Sequence, residues 1–240
     1  LSMRQPTSPL PKSRIVVLSG AGMSAESGLQ TFRASDGLWE EHRVEDVATP
    51  DAWDRDPELV LRFYNERRRG VLAAEPNAGH LALVKLEEKY EVHIITQNID
   101  NLHERAGSKQ VLHLHGKIME SRSTADDSRV YDNQGQDINL GDTCELGSQL
   151  RPNIVWFGEA VPMMDQAVPL VAIADYVLVV GTSLVVYPAA GLVQFAPENA
   201  KIFVVDPASP KVNRRQAELV AEKAAVALPP LVERLLGVEL

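Results

Sequence analysis

The stretch IVVLSGAGMSA, residues 15–25, decides how the rest of this chain is read. Its first five residues form a short apolar run bounded by glycine, which predicts a buried strand. Gly20, Gly22 and Ala25 then fit the dinucleotide pattern G-x-G-x-x-G/A, and Gly28 marks a further turn. Glycines there let a backbone approach a pyrophosphate, whose charge meets amides at a helix start. A tight strand-to-helix turn favours glycine for its own reasons, so the pattern alone is weak. The dehydrogenase version continues into a second strand with an acid about 20 positions on. Residues 30–39, QTFRASDGLW, have no strand pattern. A hydride-transferring dehydrogenase is therefore disfavoured, while nucleotide binding is not.

Working outward, apolar runs recur at 92–96, 111–115, 154–157, 176–180 and 201–205. Helical spacing lies between them at 57–72, at 77–90 with Asn77 as N-cap, at 188–195 with Pro188 in the first turn, at 216–226 and at 231–236. Strands without strict alternation, divided by helices, predict an α/β fold: a Rossmann-like parallel sheet with helices on both faces. Residues 119–149 are polar and turn-rich, which predicts a smaller lobe built from inserted segments. The expected division is a loose tail at 1–13, a nucleotide-binding domain at 14–42, 76–117 and 151–240, and lobe insertions at 43–75 and 118–150. The apolar stretch 168–193 is broken by Asp175, Gly181 and Pro188, so it reads as a strand between helices and not as a membrane span.

A formal net charge of −9 argues against a polyanionic partner, so no direct nucleic-acid contact is expected. Cys144 is the only cysteine, which excludes an intrachain disulfide and a zinc site built mainly from thiolates. With no secretory signal pattern in 1–13, the expectation is a soluble cytoplasmic protein without a membrane partner.

Ligands of open parallel sheets gather beyond the carboxyl ends of the strands. Those ends carry Gly20, Ala21 and Gly22, then Gln97, Asn98, Ile99 and Asp100, then His115 and Gly116. Gly158 and Glu159, Gly181, Thr182 and Ser183, and Asp206 follow. His113 and His115, two apart, would share a strand face and could bind a metal together, although no further ligands stand nearby. They read otherwise as one packed and one surface histidine, or as a neutral base, and Gly116 directly after His115 favours a site. Tyr64 and Arg67, at i and i+3, can converge on a carboxylate, with arginine gripping it bidentately. The alternative is a solvated arginine-rich face with Tyr64 half-buried.

Taken together, these segments resemble the sirtuin family, from residue 15 to about residue 236. The matching motifs are GAGMSAESGLQTFR at 20–33, TQNIDNLHERAG at 96–107, HLHG at 113–116, RPNIVWFGE at 151–159 and GTSLVVYPAA at 181–190. DGLWEEHRVEDVATPDAW at 36–53 and the Tyr64/Arg67 pair resemble the class III subgroup, which removes succinyl and malonyl groups and, to some extent, acetyl. The resemblance implies an NAD-dependent protein-lysine deacylase that yields nicotinamide and O-acyl-ADP-ribose, with acylated-lysine proteins or peptides as partners. It makes His115 and Asn98 catalytic, His115 taking a proton from a ribose hydroxyl. NAD would contact Gly20, Ala21, Gly22, Ser24, Ala25, Phe32, Arg33, Trp39, Gln97, Asn98, Ile99, Asp100, Gly181, Thr182, Ser183, Asp206 and Ala225. Tyr64, Arg67, Val155, Phe157 and Gly158 would meet the substrate, whose backbone can add as a strand.

The family usually carries two cysteine pairs between the HLHG and RPNIVWFGE segments, where this chain has Cys144 alone. No zinc is expected, and the lobe must fold on its own contacts, shelter against the main domain, or stay mobile. Two other functions stay open at this stage: NAD-dependent mono-ADP-ribosyl transfer to protein, and a non-catalytic module that binds NAD or acyl-lysine.

Overall fold

The computed structural model describes residues 11–30, 37–213 and 217–237. In chain order the elements begin with β1 (Arg14–Ser19), α1 (Gly22–Ala25), β2 (Leu38–Trp39), β3 (His42–Arg43), α2 (Val44–Val47), α3 (Pro50–Arg55) and α4 (Pro57–Ala73). Next come α5 (Ala78–Lys85), β4 (Glu91–Thr96), α6 (Leu102–Ala106), β5 (Val111–His113), β6 (Gly116–Ser123), β7 (Val130–Asp132) and β8 (Leu150–Ile154). The chain closes with α7 (Met164–Ala172), β9 (Tyr176–Val180), β10 (Lys201–Val205), β11 (Ala217–Val220) and α8 (Ala224–Leu236).

Six strands form one sheet in the order β11-β10-β9-β1-β4-β5, and every pairing is parallel. Parallel strands need crossovers, and the helices that provide them cover both faces. On one face Ile15, Val17, Ile94, Leu178 and Val205 pack against Leu83 of α5 and Leu228 and Val232 of α8. On the other, Val16, Leu18, Ile95, Val179 and Val204 meet Val171 of α7 and Leu192 and Val193 of a 3-10 turn at Ala189–Phe195. Residues of β1 alternate between the two cores, which is why the strand reads as an unbroken apolar run and not as an alternating one. The chain leaves β1 for β4 on one side and fills β9 on the other, so the strand order reverses at the carboxyl end of β1. A crevice opens at such a point.

Three expectations are corrected. Residues 154–157 do not extend the parallel sheet. Their neighbours form β8, which pairs antiparallel with β6 in a separate sheet ordered β7-β6-β8. Among the described residues, no helix lies between β5 and β8 to carry a right-handed crossover, so a parallel partner was not available. Residues 216–226 are not one helix: β11 pairs in parallel with β10, and α8 begins at Ala224. Helix-favouring alanine and glutamate there yield to sheet pairing at the edge. Strand β5 also stops at His113, so His115 stands in the turn beyond it.

A third core joins the lobe to α2 and α4, through Val47, Val60, Phe63, Tyr64, Ile118, Ile154 and Trp156. Polar clamps reinforce it. Buried Arg68 donates from Nε to the Ile118 carbonyl at 2.8 Å and from Nη1 to Asn65 Oδ1 at 2.6 Å. Asn65 in turn exchanges two hydrogen bonds, each 2.9 Å, with the backbone of Ile138. The Cys144 thiol donates to Ser123 Oγ at 3.3 Å inside the lobe. Among the described residues, no helix is long and apolar enough to cross a membrane.

Behind the sheet's carboxyl edge sit two buried imidazoles, with ring centroids 5.0 Å apart. The backbone N–H of Asn77 donates to His80 Nδ1, and Ser19 Oγ pairs with His103 Nε2 at 3.0 Å. Burial pushes His80 down to about 4 and His103 well below the ordinary imidazole range. Both stay neutral when folded but take protons near pH 6.5 when unfolded, so the unfolded chain holds more protons below that pH and stability must fall as pH falls. Urea unfolding should show a loss on the order of 2 kcal/mol between pH 6.5 and 5, above the range where most carboxylates titrate. Constant stability across that interval would contradict the neutral buried pair.

Candidate active site

A cleft of about 730 Å³ runs along the carboxyl edge of the large sheet, walled on its far side by α4 and the residues after β8. That volume lies within the usual range for small-molecule sites. Two turns form its floor. The Gly20 amide donates to the Val180 carbonyl at 3.0 Å, and the Gly22 amide to the Gly181 carbonyl at 2.8 Å. A Cβ on Gly20 would lie 2.7 Å from Thr182 Cβ, and one on Gly22 would lie 2.7 Å from Gly181 Cα. These glycines thus let one strand-end turn press against the next, and two of the amides that the sequence offered to a phosphate are already committed.

Above this contact lies a layer of polar side chains. Asn98 Nδ2 donates to the Gly20 carbonyl at 3.0 Å, and Gln97 Nε2 reaches Thr182 Oγ1 at 3.2 Å. Ser24 Oγ donates to Asp100 Oδ2 at 2.9 Å, while Asp100 Oδ1 accepts the Leu102 amide at 3.0 Å. Burial raises the Asp100 carboxyl, and those two donors hold it back only in part. Asp206 caps the turn after β10 by accepting the Ala208 amide at 2.8 Å.

The two histidines have separate jobs. His113 donates from Nδ1 to the Asn98 carbonyl at 2.9 Å, and its Nε2 meets Glu104 Oε1 at 2.5 Å. With both ring nitrogens occupied in this arrangement, it has none to share with His115 around a metal. His115 approaches the Gln97 carbonyl with Nδ1 at 3.1 Å. A carbonyl only accepts, so Nδ1 carries the proton and Nε2 keeps a lone pair. Burial lowers its affinity for a second proton, and the bond to Gln97 opposes this more weakly. The result is a neutral imidazole in the cleft wall with a lone pair at Nε2.

Past His115 the chain runs along the lobe. The Val155 amide donates to the His115 carbonyl at 2.9 Å, that of Trp156 to Glu159 Oε1 at 2.8 Å, and that of Phe157 to the Ala48 carbonyl at 3.0 Å. Three successive amides are therefore engaged, which restricts how a peptide strand can add here. Phe157 itself is exposed, and Arg151 lies 3.4 Å over the Trp156 ring.

On α4, Tyr64 is fully buried and not half-buried, edge-on to Phe63 and Trp39. Burial drives its phenol up, eased only partly by the nearby Trp156 indole, and its hydroxyl has no hydrogen-bond partner among the described residues. Arg67 Nη2 pairs with Glu40, while its Nη1 is buried without a partner among the described residues. Glu40 and Glu41 link β2 to β3 in a two-residue hairpin with φ of 46° and 68°. Such a turn wants glycine or asparagine, and left-handed backbone costs a residue bearing a Cβ roughly 1–2 kcal/mol.

Nearly every residue singled out from the sequence lines this one cleft: Gly20, Ala21, Gly22, Ser24, Trp39, Tyr64, Arg67, 97–100, His115, Val155, Phe157, Gly158, 181–183 and Asp206. Ala25 and Ala225 do not. Ala25 is exposed, and the Ala225 amide instead donates to Glu26 Oε1 at 3.0 Å. Phe32 and Arg33 lie outside the described residues. The sequence reading missed Glu40, Glu66 and Trp156, which also line the cleft. Glu40 sits beside Trp39 in the chain, but nothing in its spacing announces Arg67 as its partner.

An open parallel sheet with a second lobe across its carboxyl edge, and a neutral imidazole among amides and hydroxyls, defines a two-lobed nucleotide-site enzyme. Comparison with known proteins narrows this class. The Sir2 family is matched over residues 20–188. An NAD-dependent protein deacylase of Helicobacter pylori is 49% identical over 223 residues, covering 92% of this chain and 97% of that protein. A Sir2 homologue solved as an NAD complex superposes with TM-score 0.82 at 38% identity, covering 94% of this chain and 90% of the other. A Sir2 complex with a p53 peptide and NAD+ superposes with TM-score 0.74 at 33% identity, covering 95% and 94%. The chain belongs to the Sir2 family and is an enzyme.

The glycine contact can be tested by stability alone. Gly22→Ala should destabilise by roughly 1–3 kcal/mol in urea unfolding, because its Cβ meets backbone that must move. Gly70→Ala, on an exposed face of α4 with open space around it, should instead stabilise by roughly 0.5–1 kcal/mol. Equal responses would show that the turn-on-turn contact is not tight.

Proposed function

We propose that this enzyme removes acyl groups from lysine side chains of proteins at the expense of NAD, with a preference for acyl groups ending in a carboxylate. The observation that carries the preference is a pair of buried donors without partners among the described residues, Tyr64 Oη and Arg67 Nη1, in the wall of the cleft that holds His115. A buried donor without a partner costs about 1–3 kcal/mol, and a carboxylate accepting from both would recover it.

The cleft suits NAD by its chemistry. Amide and hydroxyl groups of Gln97, Asn98, Ser24, Thr182 and Ser183 can bond ribose and carboxamide, and Asp206 can accept from a ribose hydroxyl. When bound there, NAD supplies a ribose carbon made electrophilic by departure of nicotinamide, to which the acyl oxygen is transferred. The residues do the rest. Asn98 and Asp100, held by Gly20, Ser24 and Leu102, fix the polar floor. His115, oriented by Gln97, takes a hydroxyl proton at Nε2. Phe157 and Gly158 offer an exposed edge to the peptide around the acylated lysine. The NAD-dependent deacylase named for the Helicobacter pylori relative supports this reading.

The test is a single peptide carrying acetyl-, malonyl- or succinyl-lysine, supplied with NAD. We expect loss of the acidic acyl groups and slower loss of acetyl, and NAD-dependent removal of none would overturn the reading. Arg67→Met should cut desuccinylation at least about tenfold more than deacetylation, and His115→Ala should cut both by about 10²–10⁴. Equal effects of Arg67→Met on the two substrates would remove the carboxylate role.

We further propose that the lobe stands without structural zinc. Cys144 bonds to Ser123, and among the described residues no group of three histidine, cysteine or acidic side chains could hold a metal ion. The Arg68–Asn65–Ile138 clamp ties the lobe to α4 in its place. Metal analysis should find far less than one zinc per chain, and a chelator should leave the melting temperature unchanged. Stoichiometric zinc, or melting at lower temperature on chelation, would refute this.

A further inference from the structure

Arg67 is not free to grip a carboxylate with both arms. Its Nη2 is held by Glu40, its guanidinium lies 4.8 Å over the Phe63 ring, and Glu66 stands 3.6 Å away. The Arg67 and Glu40 side chains are only 16% and 22% exposed, so water screens this pair poorly. One cation already faces two anions. An acyl carboxylate entering as things stand would be the third, and among the described residues the buried donors it would find unclaimed include Nη1 and the Tyr64 hydroxyl. The two parallel N–H bonds that make arginine a strong carboxylate receptor require Nη2 as well.

Glu40 is also presented in an unusual way. It occupies the first position of a hairpin turn at φ 46°, backbone that a glutamate rarely adopts. Trp39, just before it, packs edge-on against Phe63 and Tyr64, which sets the turn against α4. Residues in such strained positions persist where the surroundings hold them, and they concentrate at binding sites.

We propose that Glu40 sets the acyl selectivity of this enzyme as an internal competitor for Arg67. With Glu40 on Nη2, the preference for acidic chains is held below what Arg67 could give. With Glu40 displaced or neutral, Arg67 offers its full fork and acidic chains gain. This inference rests on the reading of Tyr64 and Arg67 as the acyl-carboxylate receptor, and it adds the element that limits that receptor.

The experiment measures kcat/KM for succinyl- and acetyl-lysine versions of one peptide with NAD, in the wild type, Glu40→Gln, Glu40→Gly, Arg67→Met and Glu40→Gln/Arg67→Met. Glutamine removes the charge and keeps the shape. Glycine removes the side chain while accepting the positive φ, so it protects the result from a misfolded turn. Both single variants at Glu40 should raise the succinyl-to-acetyl ratio about tenfold, chiefly through a lower KM for the succinyl peptide. The gain should vanish when Arg67 is methionine. A ratio that stays level or falls in both Glu40 variants, while Arg67→Met alone lowers it, overturns the role of Glu40 and leaves the receptor standing. A gain that survives in the double variant also overturns it, because the effect would then not run through Arg67. No response of the ratio to Arg67→Met alone would bring down the receptor and this inference with it.

Discussion

Two turns meeting backbone to backbone, Gly20 and Gly22 against Gly181 and Thr182, are the contact on which the remaining geometry depends. It lies where the strand order of the sheet reverses, at the point from which the crevice opens. Because no Cβ separates the turns, the carboxyl ends of β1 and β9 stay together, and the Gln97–Thr182 bond draws in the end of β4. Asn98 then reaches the Gly20 carbonyl, and the Gln97 carbonyl is left where His115 can donate to it. The tautomer of His115 therefore traces back, through one backbone carbonyl, to close packing of glycines.

The opposite wall follows a different logic. Helix α4 carries three consecutive kinds of arginine environment. Arg68 is buried and spends its donors on Ile118 and Asn65, holding the lobe. Arg69 points outward to Asp137 at 2.7 Å. Arg67 turns into the cleft against Glu40. Helical rotation of about 100° per residue sends neighbours of the same type to core, surface and site. A run of arginines that suggests a solvated face thus contains a structural clamp and a side chain that lines the cleft. The same clamp, with a third apolar core and the Asn65–Ile138 bonds, anchors the lobe to α4.

The strand run of β1, the glycine turns and Asn77 as a cap were legible from the residues alone. Each depends on local chemistry: an apolar run can only be a strand or a helix, and a glycine pair marks a tight turn. The two misread segments share a cause. Residues 154–157 and 216–226 have apolar or helical patterns that fit more than one partner, and pairing with β6 and β10 decided between them.

By itself, then, the sequence determined that a parallel sheet would bring glycine, amide, hydroxyl and imidazole groups to one edge, since period and turn chemistry act over a few residues. Only the tertiary structure decided what each group does there. The glycines serve a turn-on-turn contact, His113 is consumed by Glu104 and Asn98, Tyr64 loses its solvent, and Glu40, 27 positions before Arg67 in the chain, becomes its partner. Such outcomes depend on contacts between segments far apart in sequence, and no local pattern encodes which buried donor will find an acceptor and which will be left to wait for one.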